Sequence, residues 1–120
     1  MSQDNVVQRK SFEFAVKAVK LAYSVQKEKK EYDLTRQIIR SATSIGANLE
    51  ESMGGQSDKD FLHKVSISYK EARETEYWLR LMLEVELISK DQQEELLENV
   101  REILRLLGAI RRTMKRKLNQ

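Results

Sequence analysis

The feature that most limits what this chain can fold into is the complete absence of proline from its 120 residues, together with only four glycines. Proline removes a backbone N–H and clashes with the preceding helical turn, so without it helices run uninterrupted. Glu, Lys, Leu and Arg are abundant, and all are strong helix formers. The expected fold class is therefore all-α. Residues 34–57 show the pattern most clearly: Leu34, Ile38, Ala42, Ile45, Leu49 and Met53 recur every three or four positions and make one apolar face. Beside it lies a neutral polar strip, Gln37, Ser41, Ser44, Asn48 and Ser52, and opposite it sit Arg36 and Arg40. Solvated helix flanks usually carry Lys and Glu. The uncharged strip therefore predicts a flank approached by a second surface, with hydrogen bonds across the contact. Tight packing of one neighbouring helix on these small side chains is the simpler reading of the same strip.

The first helix is expected over residues 5–29. Val7, Phe14, Ala18, Leu21 and Val25 make one apolar face, and Phe12, Val16, Val19 and Tyr23 make a second on nearly the opposite side. A peripheral helix of a monomeric bundle needs only one. Lys10, Glu13, Lys17, Lys20, Ser24 and Lys27 form the solvated strip between them. The following segment KEKKEYD has neither Gly nor Pro, and the break is placed before Asp33, whose carboxylate is expected to cap the second helix. Gly54-Gly55 is expected to end that helix in the left-handed conformation that glycine adopts without a Cβ clash.

Ser57 then caps a third helix over residues 58–88, with Asp58 and Asp60 favoured in its first turn by the helix dipole. Its core face is Phe61, Val65, Ser68, Ala72, Leu79, Met82 and Leu83, with Tyr69 on the edge. Trp78, Leu81, Val85 and Ile88 form another apolar stripe, which the fourth helix or another subunit must cover. Ser89 and Gln92 have capping-box spacing and start the fourth helix. Its core face is Leu96, Val100, Ile103, Leu107, Ile110 and Met114, with Leu97 and Leu104 alongside. Its outer side runs from Glu94 and Glu98 to Arg101, Arg105, Arg112 and Arg116, an order that complements the helix dipole and allows Glu-to-Arg pairing within the helix. The end, RRTMKRK, places five basic residues in seven positions. Short connections predict an antiparallel up-down four-helix bundle, one domain over residues 1–120. The surplus apolar stripes predict a symmetric homo-oligomer.

Much chemistry is excluded by composition. There is no Cys, which removes disulfides and thiol chemistry. MSQDNVVQRK has no apolar signal-peptide core, and no uncharged run approaches the roughly 18 residues of a membrane span, so a soluble, cytoplasmic chain is expected. A di-iron bundle needs two Glu-x-x-His pairs, and there is one histidine, His63. Glu94, Glu95 and Glu98 have the spacing of the magnesium-binding cluster of helical nucleotide pyrophosphohydrolases, but no second acidic motif accompanies them. There is no glycine phosphate loop and no nucleophile-and-base set. The expectation is no enzyme, no metal and no cofactor. Net charge is +3, so the position of the charge matters more than its sum.

Three further stretches carry a resemblance. SIGANLEE at 44–51 within the longer run from Leu34, then Gln56-Ser57 and Asp60-Phe61, then KEARETEYWL at 70–79, together closely resemble four-helix-bundle proteins first noticed in intervening sequences of bacterial 23S ribosomal RNA genes. The likeness spans nearly the whole chain, and relatives in this superfamily include the accessory variability determinant of diversity-generating retroelements. The resemblance implies a barrel-like homopentamer with a positively charged surface and, in the retroelement relatives, binding of RNA and a reverse transcriptase. "Ribosomal protein", a label the family sometimes carries, reflects gene location. Gly46 stands where many relatives carry Pro, and Glu51-Ser52 where many carry Glu-Gly, so the chain resembles a branch of its own. The motif supplies Ser44, Asn48, Glu50, Glu71 and Glu74, which read mainly as interhelical or intersubunit hydrogen-bonding residues, with a catalytic role as the minor alternative.

The charge pattern separately nominates Arg36, Arg40, Arg112, Lys115, Arg116 and Lys117 as nucleic-acid-binding residues. Ser41, Ser44, Asn48, Trp78, Leu81 and Val85 are the candidate oligomer interface. Two functions follow as expectations. One is a homo-oligomeric scaffold that binds RNA or DNA through its basic residues. The other is an adaptor that docks a partner protein, with no physiological nucleic-acid binding.

Overall fold

The computed structural model describes residues 3–119, which form four helices: α1 (Gln3–Lys29), α2 (Asp33–Met53), α3 (Asp58–Glu84) and α4 (Lys90–Leu118). Each packs on its neighbour in sequence, α1 closes against α4, and the diagonal pairs α1–α3 and α2–α4 stay apart. Side-chain pairs fix the directions. Gln8 meets Glu50 and Gln26 meets Thr35 between α1 and α2. Ser68 meets Ile45 and Thr75 meets Ser41 between α2 and α3. Arg101 meets Glu76 and Lys117 meets Asp58 between α3 and α4. Lys10 meets Glu102 and Lys17 meets Glu95 between α1 and α4. As one number rises the other falls at every junction, so all four junctions are antiparallel, in a body 51 × 24 × 21 Å. Among the described residues no helix is long and apolar enough to cross a membrane.

The core follows the sequence spacing closely. Phe14, Ile38, Ile45, Leu49, Val65, Leu79, Met82, Val100, Ile103 and Leu107 are buried along its length. Leu21, Leu34, Phe61, Leu83 and Met114 are only half-buried, and Met53 is exposed. The spacing missed Ala22, Thr75 and Gln93, which are buried.

Most of the neutral polar strip of α2 is accounted for within the chain, while Gln37 stays exposed. Ser41 is fully buried, and its Oγ lies 2.8 Å from the Thr75 hydroxyl of α3. The Ser68 hydroxyl donates to the Ile45 carbonyl at 2.8 Å. The second surface is therefore α3 itself, and Ser41 is not available to another subunit. Ser44 and Asn48, half-buried, spend their side chains on the carbonyls of Arg40 and Ser44 one turn back.

Three junction expectations are corrected. The cap of α2 is Glu31 rather than Asp33: its carboxylate accepts from the backbone N–H groups of Asp33, Leu34 and Thr35 at 2.8–3.0 Å. The turn itself is made by Lys30 at φ 56°, a left-handed residue that is not glycine. At the α2–α3 turn no glycine has positive φ, and Gly54 sits at φ −93°. What Gly55 supplies is space, since a Cβ there would lie 3.1 Å from the Ser52 carbonyl. Finally, α3 stops at Glu84. Glu86, at φ 63°, closes it, with its N–H bonded to Leu83 O and that of Leu87 to Met82 O. This pair of bonds is the Schellman arrangement, normally made with glycine. Val85 and Ile88 thus belong to a turn, and the Trp78 stripe does not continue as a helix face. The expected caps at Ser57 and Ser89 are present, the latter as a reciprocal box with Gln92.

Candidate nucleic-acid interface

The six sequence-nominated cations do not share one surface. Arg36 stands in the first turns of α2, over the Tyr32 ring at 5.7 Å, at the opposite end of the bundle from the α4 terminus. Arg40 is engaged structurally: its guanidinium donates to Glu71 at 3.0 Å and to Glu74, both on α3. The hydrogen bond from Arg40 holds the Glu74 carboxyl below its ordinary value, and Glu74 in turn raises Arg40. A guanidinium bound this way across two helices is a clamp on α2 and α3, although its side chain stays half-exposed.

The other four lie together where α4 leaves the core beyond Ile110. Lys117 is tied to Asp58 at 3.1 Å, in the first turn of α3. Arg112, Lys115 and Arg116 are exposed and have no carboxylate partner among the described residues. Their neighbour Arg111, which the sequence reading did not single out, is structural. Its guanidinium sits 4.6 Å over the Tyr69 ring and donates to Ser66 at 3.2 Å, so it anchors the α4 end to α3. The pairing expected within α4 is not made by Arg101, which reaches across to Glu76 at 2.7 Å. Burial explains the preference, because Glu76 lies in the flank of α3 that faces α4 and is a quarter exposed.

A second basic surface was missed. Lys70, Arg73, Tyr77 and Arg80 follow one another at spacings of three, four and three along the outer side of α3, and all four are exposed. None of the three cations is in an ion pair among the described residues. The spacing is visible in the sequence, where it lies beside the apolar stripes of α3.

The remaining interface candidates differ in exposure. Trp78 and Leu81 are half-buried and Val85 is half-exposed. The Trp78 ring meets Tyr77 edge-on at 5.2 Å. Its indole N–H is buried with no hydrogen bond of good geometry, although it helps hold Glu74 ionised. The more exposed apolar strip is on α1, where Phe12 is 70% and Tyr23 59% exposed, with Val16 between them. Of the resemblance-derived acids, Glu71 and Glu74 bind Arg40, and Glu50 accepts from Gln8 at 2.6 Å. Each is an interhelical contact inside the chain. Among the described residues no cluster of three or more His, Asp or Glu side chains is placed to hold a metal ion.

A family model for the 23S rRNA-intervening sequence proteins matches residues 3–109. The chain is also similar to a crystal structure from Bacteroides thetaiotaomicron, of a protein of unknown function from the S23 ribosomal protein family. The two share 46% identity over 92% of this chain and 99% of that one, with a TM-score of 0.90. No curated protein matches the chain.

Proposed function

The chain belongs to the 23S rRNA-intervening sequence protein family, and from that premise we propose that it is a non-enzymatic, self-associating cytoplasmic scaffold that binds structured RNA through the end of α4. The observation that carries this reading is the trio Arg112, Lys115 and Arg116, exposed within two turns of one helix with no carboxylate partner among the described residues. Such side chains neutralise RNA phosphates and displace the cations condensed along the RNA, and the release of those counterions drives binding. Self-association multiplies a weak patch, because linked contacts act at high effective concentration. The α1 strip supports it: Phe12, Val16 and Tyr23 are apolar and exposed in a row, which soluble monomers seldom leave uncovered. A closed ring, with the five subunits the resemblance implies, would gather the α4 ends by symmetry.

The test is the salt dependence of hairpin RNA binding for the parent and for R112Q/K115Q/R116Q. Three lost phosphate contacts should reduce the log–log slope by about 2 to 3 per chain engaged. Helix content should be unchanged, since all three side chains are exposed. Equal slopes and affinities would remove this site. In the second reading, which the same α1 strip favours, the chain is an adaptor whose strip docks a different protein. A monomer in light scattering, together with a protein partner recovered after nuclease treatment, would move the function there.

A further inference from the structure

Between α3 and α4, near the α3–α4 turn, lies a cleft of about 410 Å³ that the α4 reading does not use. That volume falls within the roughly 300–1,000 Å³ of small-molecule clefts. Leu81, Leu83 and Leu97 contribute its apolar lining, and Tyr77 stands beside them, 54% exposed. Arg80 and Arg101 also line it, with Glu84 as the one carboxylate, so the net charge of the lining is positive. Arg101 is already bound to Glu76, whereas Arg80 has no ion-pair partner among the described residues.

The most informative group is Gln93. Its side chain is 7% exposed and lines the cleft, and its amide oxygen is not among the sealed, unpartnered atoms of the core, so what exposure it has opens into the cleft. Its amide nitrogen donates one long bond, 3.4 Å, to the Leu79 carbonyl. The amide oxygen and the second N–H have no partner among the described residues. A carboxamide with one free donor and one free acceptor matches the N7 and N6 edge of adenine, whereas guanine presents two acceptors there. An exposed tyrosine ring beside an apolar floor is a stacking surface for a base, and a free guanidinium one turn away suits the phosphate.

We propose that the α3–α4 cleft takes one unstacked adenine nucleotide of a bound RNA, stacked on Tyr77, read by Gln93 and held at its phosphate by Arg80. This rests on the RNA-binding reading for its biological setting. The basic run Lys70, Arg73 and Arg80 would carry the adjoining backbone.

The test uses the full chain with adenosine 5′-monophosphate, ribose 5-phosphate and a single-stranded oligoadenylate, followed by Trp78 fluorescence. Trp78 reports because its ring touches Tyr77. The mononucleotide should perturb it and the base-free sugar phosphate should not. Tyr77→Ser, which removes the Trp78 contact and is therefore read by anisotropy of an end-labelled oligoadenylate, should weaken binding on the order of 5- to 150-fold, the range of one lost base–aromatic stack. Tyr77→Phe should retain parental affinity, which separates stacking from any change of fold. Gln93→Leu should abolish preference for adenosine over guanosine monophosphate while leaving the helical signal intact. R112Q/K115Q/R116Q should lose hairpin affinity yet bind the mononucleotide like the parent. If Tyr77→Ser binds oligoadenylate as the parent does, the cleft proposal fails whatever the α4 variant shows. If the mononucleotide binds in the cleft but no RNA binds the α4 end, the cleft stands and the scaffold reading fails.

Discussion

Replacing Thr75 by Val tests whether the α2–α3 contact is a hydrogen-bonded seam or merely a close fit. Each hydroxyl has a single proton. If Ser41 donates to Thr75, then Thr75 is free to donate to the Glu71 carbonyl, and both bonds are 2.8 Å. The reverse order leaves Ser41 to donate to Ile38 O at 3.4 Å, so the first order is preferred. Thr75→Val keeps the shape but strands the Ser41 hydroxyl, fully buried, with only that long contact. A buried polar group left unsatisfied costs about 1–3 kcal/mol. Ser41→Ala leaves Thr75 bonded to Glu71, so it should cost under about 1 kcal/mol. The double variant strands nothing and should be less destabilised than Thr75→Val alone. With an unfolding entropy of about 2.1 cal/mol/K per residue, a chain this size loses roughly 4 °C of Tm per kcal/mol. Thermal unfolding at one fixed protein concentration should therefore show a fall of about 4–12 °C for Thr75→Val, under about 4 °C for Ser41→Ala, and partial recovery in the double variant. Additive effects, or a larger loss for Ser41→Ala than for Thr75→Val, would refute the seam.

Gly46→Ala should stabilise by about 1 kcal/mol in thermal unfolding, because the new Cβ meets Ser11 at an ordinary 3.8 Å while the helix interior gains propensity; a lower Tm would mean that the α1–α2 approach is tighter than these distances. Glu86→Gly relieves a left-handed residue, a gain of about 1–2 kcal/mol offset by about 0.4–1 kcal/mol of unfolded-chain entropy, so a small rise in the urea midpoint is expected. Glu74 and Glu102 are held below the ordinary Glu value by hydrogen bonds from Arg40 and Lys10 respectively. A depressed folded value gives stability that is present above the unfolded pKa of about 4.3 and is lost as pH falls through the lower folded value. Urea midpoints should therefore drop more for the parent than for E74Q/E102Q between about pH 6 and about pH 3, and parallel curves would rule the linkage out. Phe12→Ser with Tyr23→Ser should shift light scattering to a smaller species without loss of helix, and an unchanged mass would place self-association elsewhere.

Most of the fold was legible because it depends on local, periodic properties. The spacing of Leu34, Ile38, Ala42, Ile45 and Leu49 marks a buried face whatever that face packs against. The hydroxyls of Ser57 and Ser89 satisfy N–H groups within their own first turns. The α1–α2 break before Asp33 and the α2 end at Gly54 fell where expected, but the residues that make those junctions were not legible, and α3 stops short of Ile88. Nothing in KEKKEYD announces that Lys30 will turn left-handed or that Glu31 will cap α2, since the cost of that conformation is met by packing elsewhere in the chain.

The candidate site was less legible, for the same physical reason. Arg40 and Arg112 look alike in sequence, as exposed arginines on amphipathic helices. Arg40 is paired with Glu71 and Glu74, more than thirty residues away along the chain, whereas Arg112 meets no carboxylate among the described residues. A sequence determines which side chains are charged and which face of a helix they occupy, because helical geometry is local. Whether a charge is spent on a neighbour or left for a ligand depends on which helices become adjacent, and only the tertiary structure decides that.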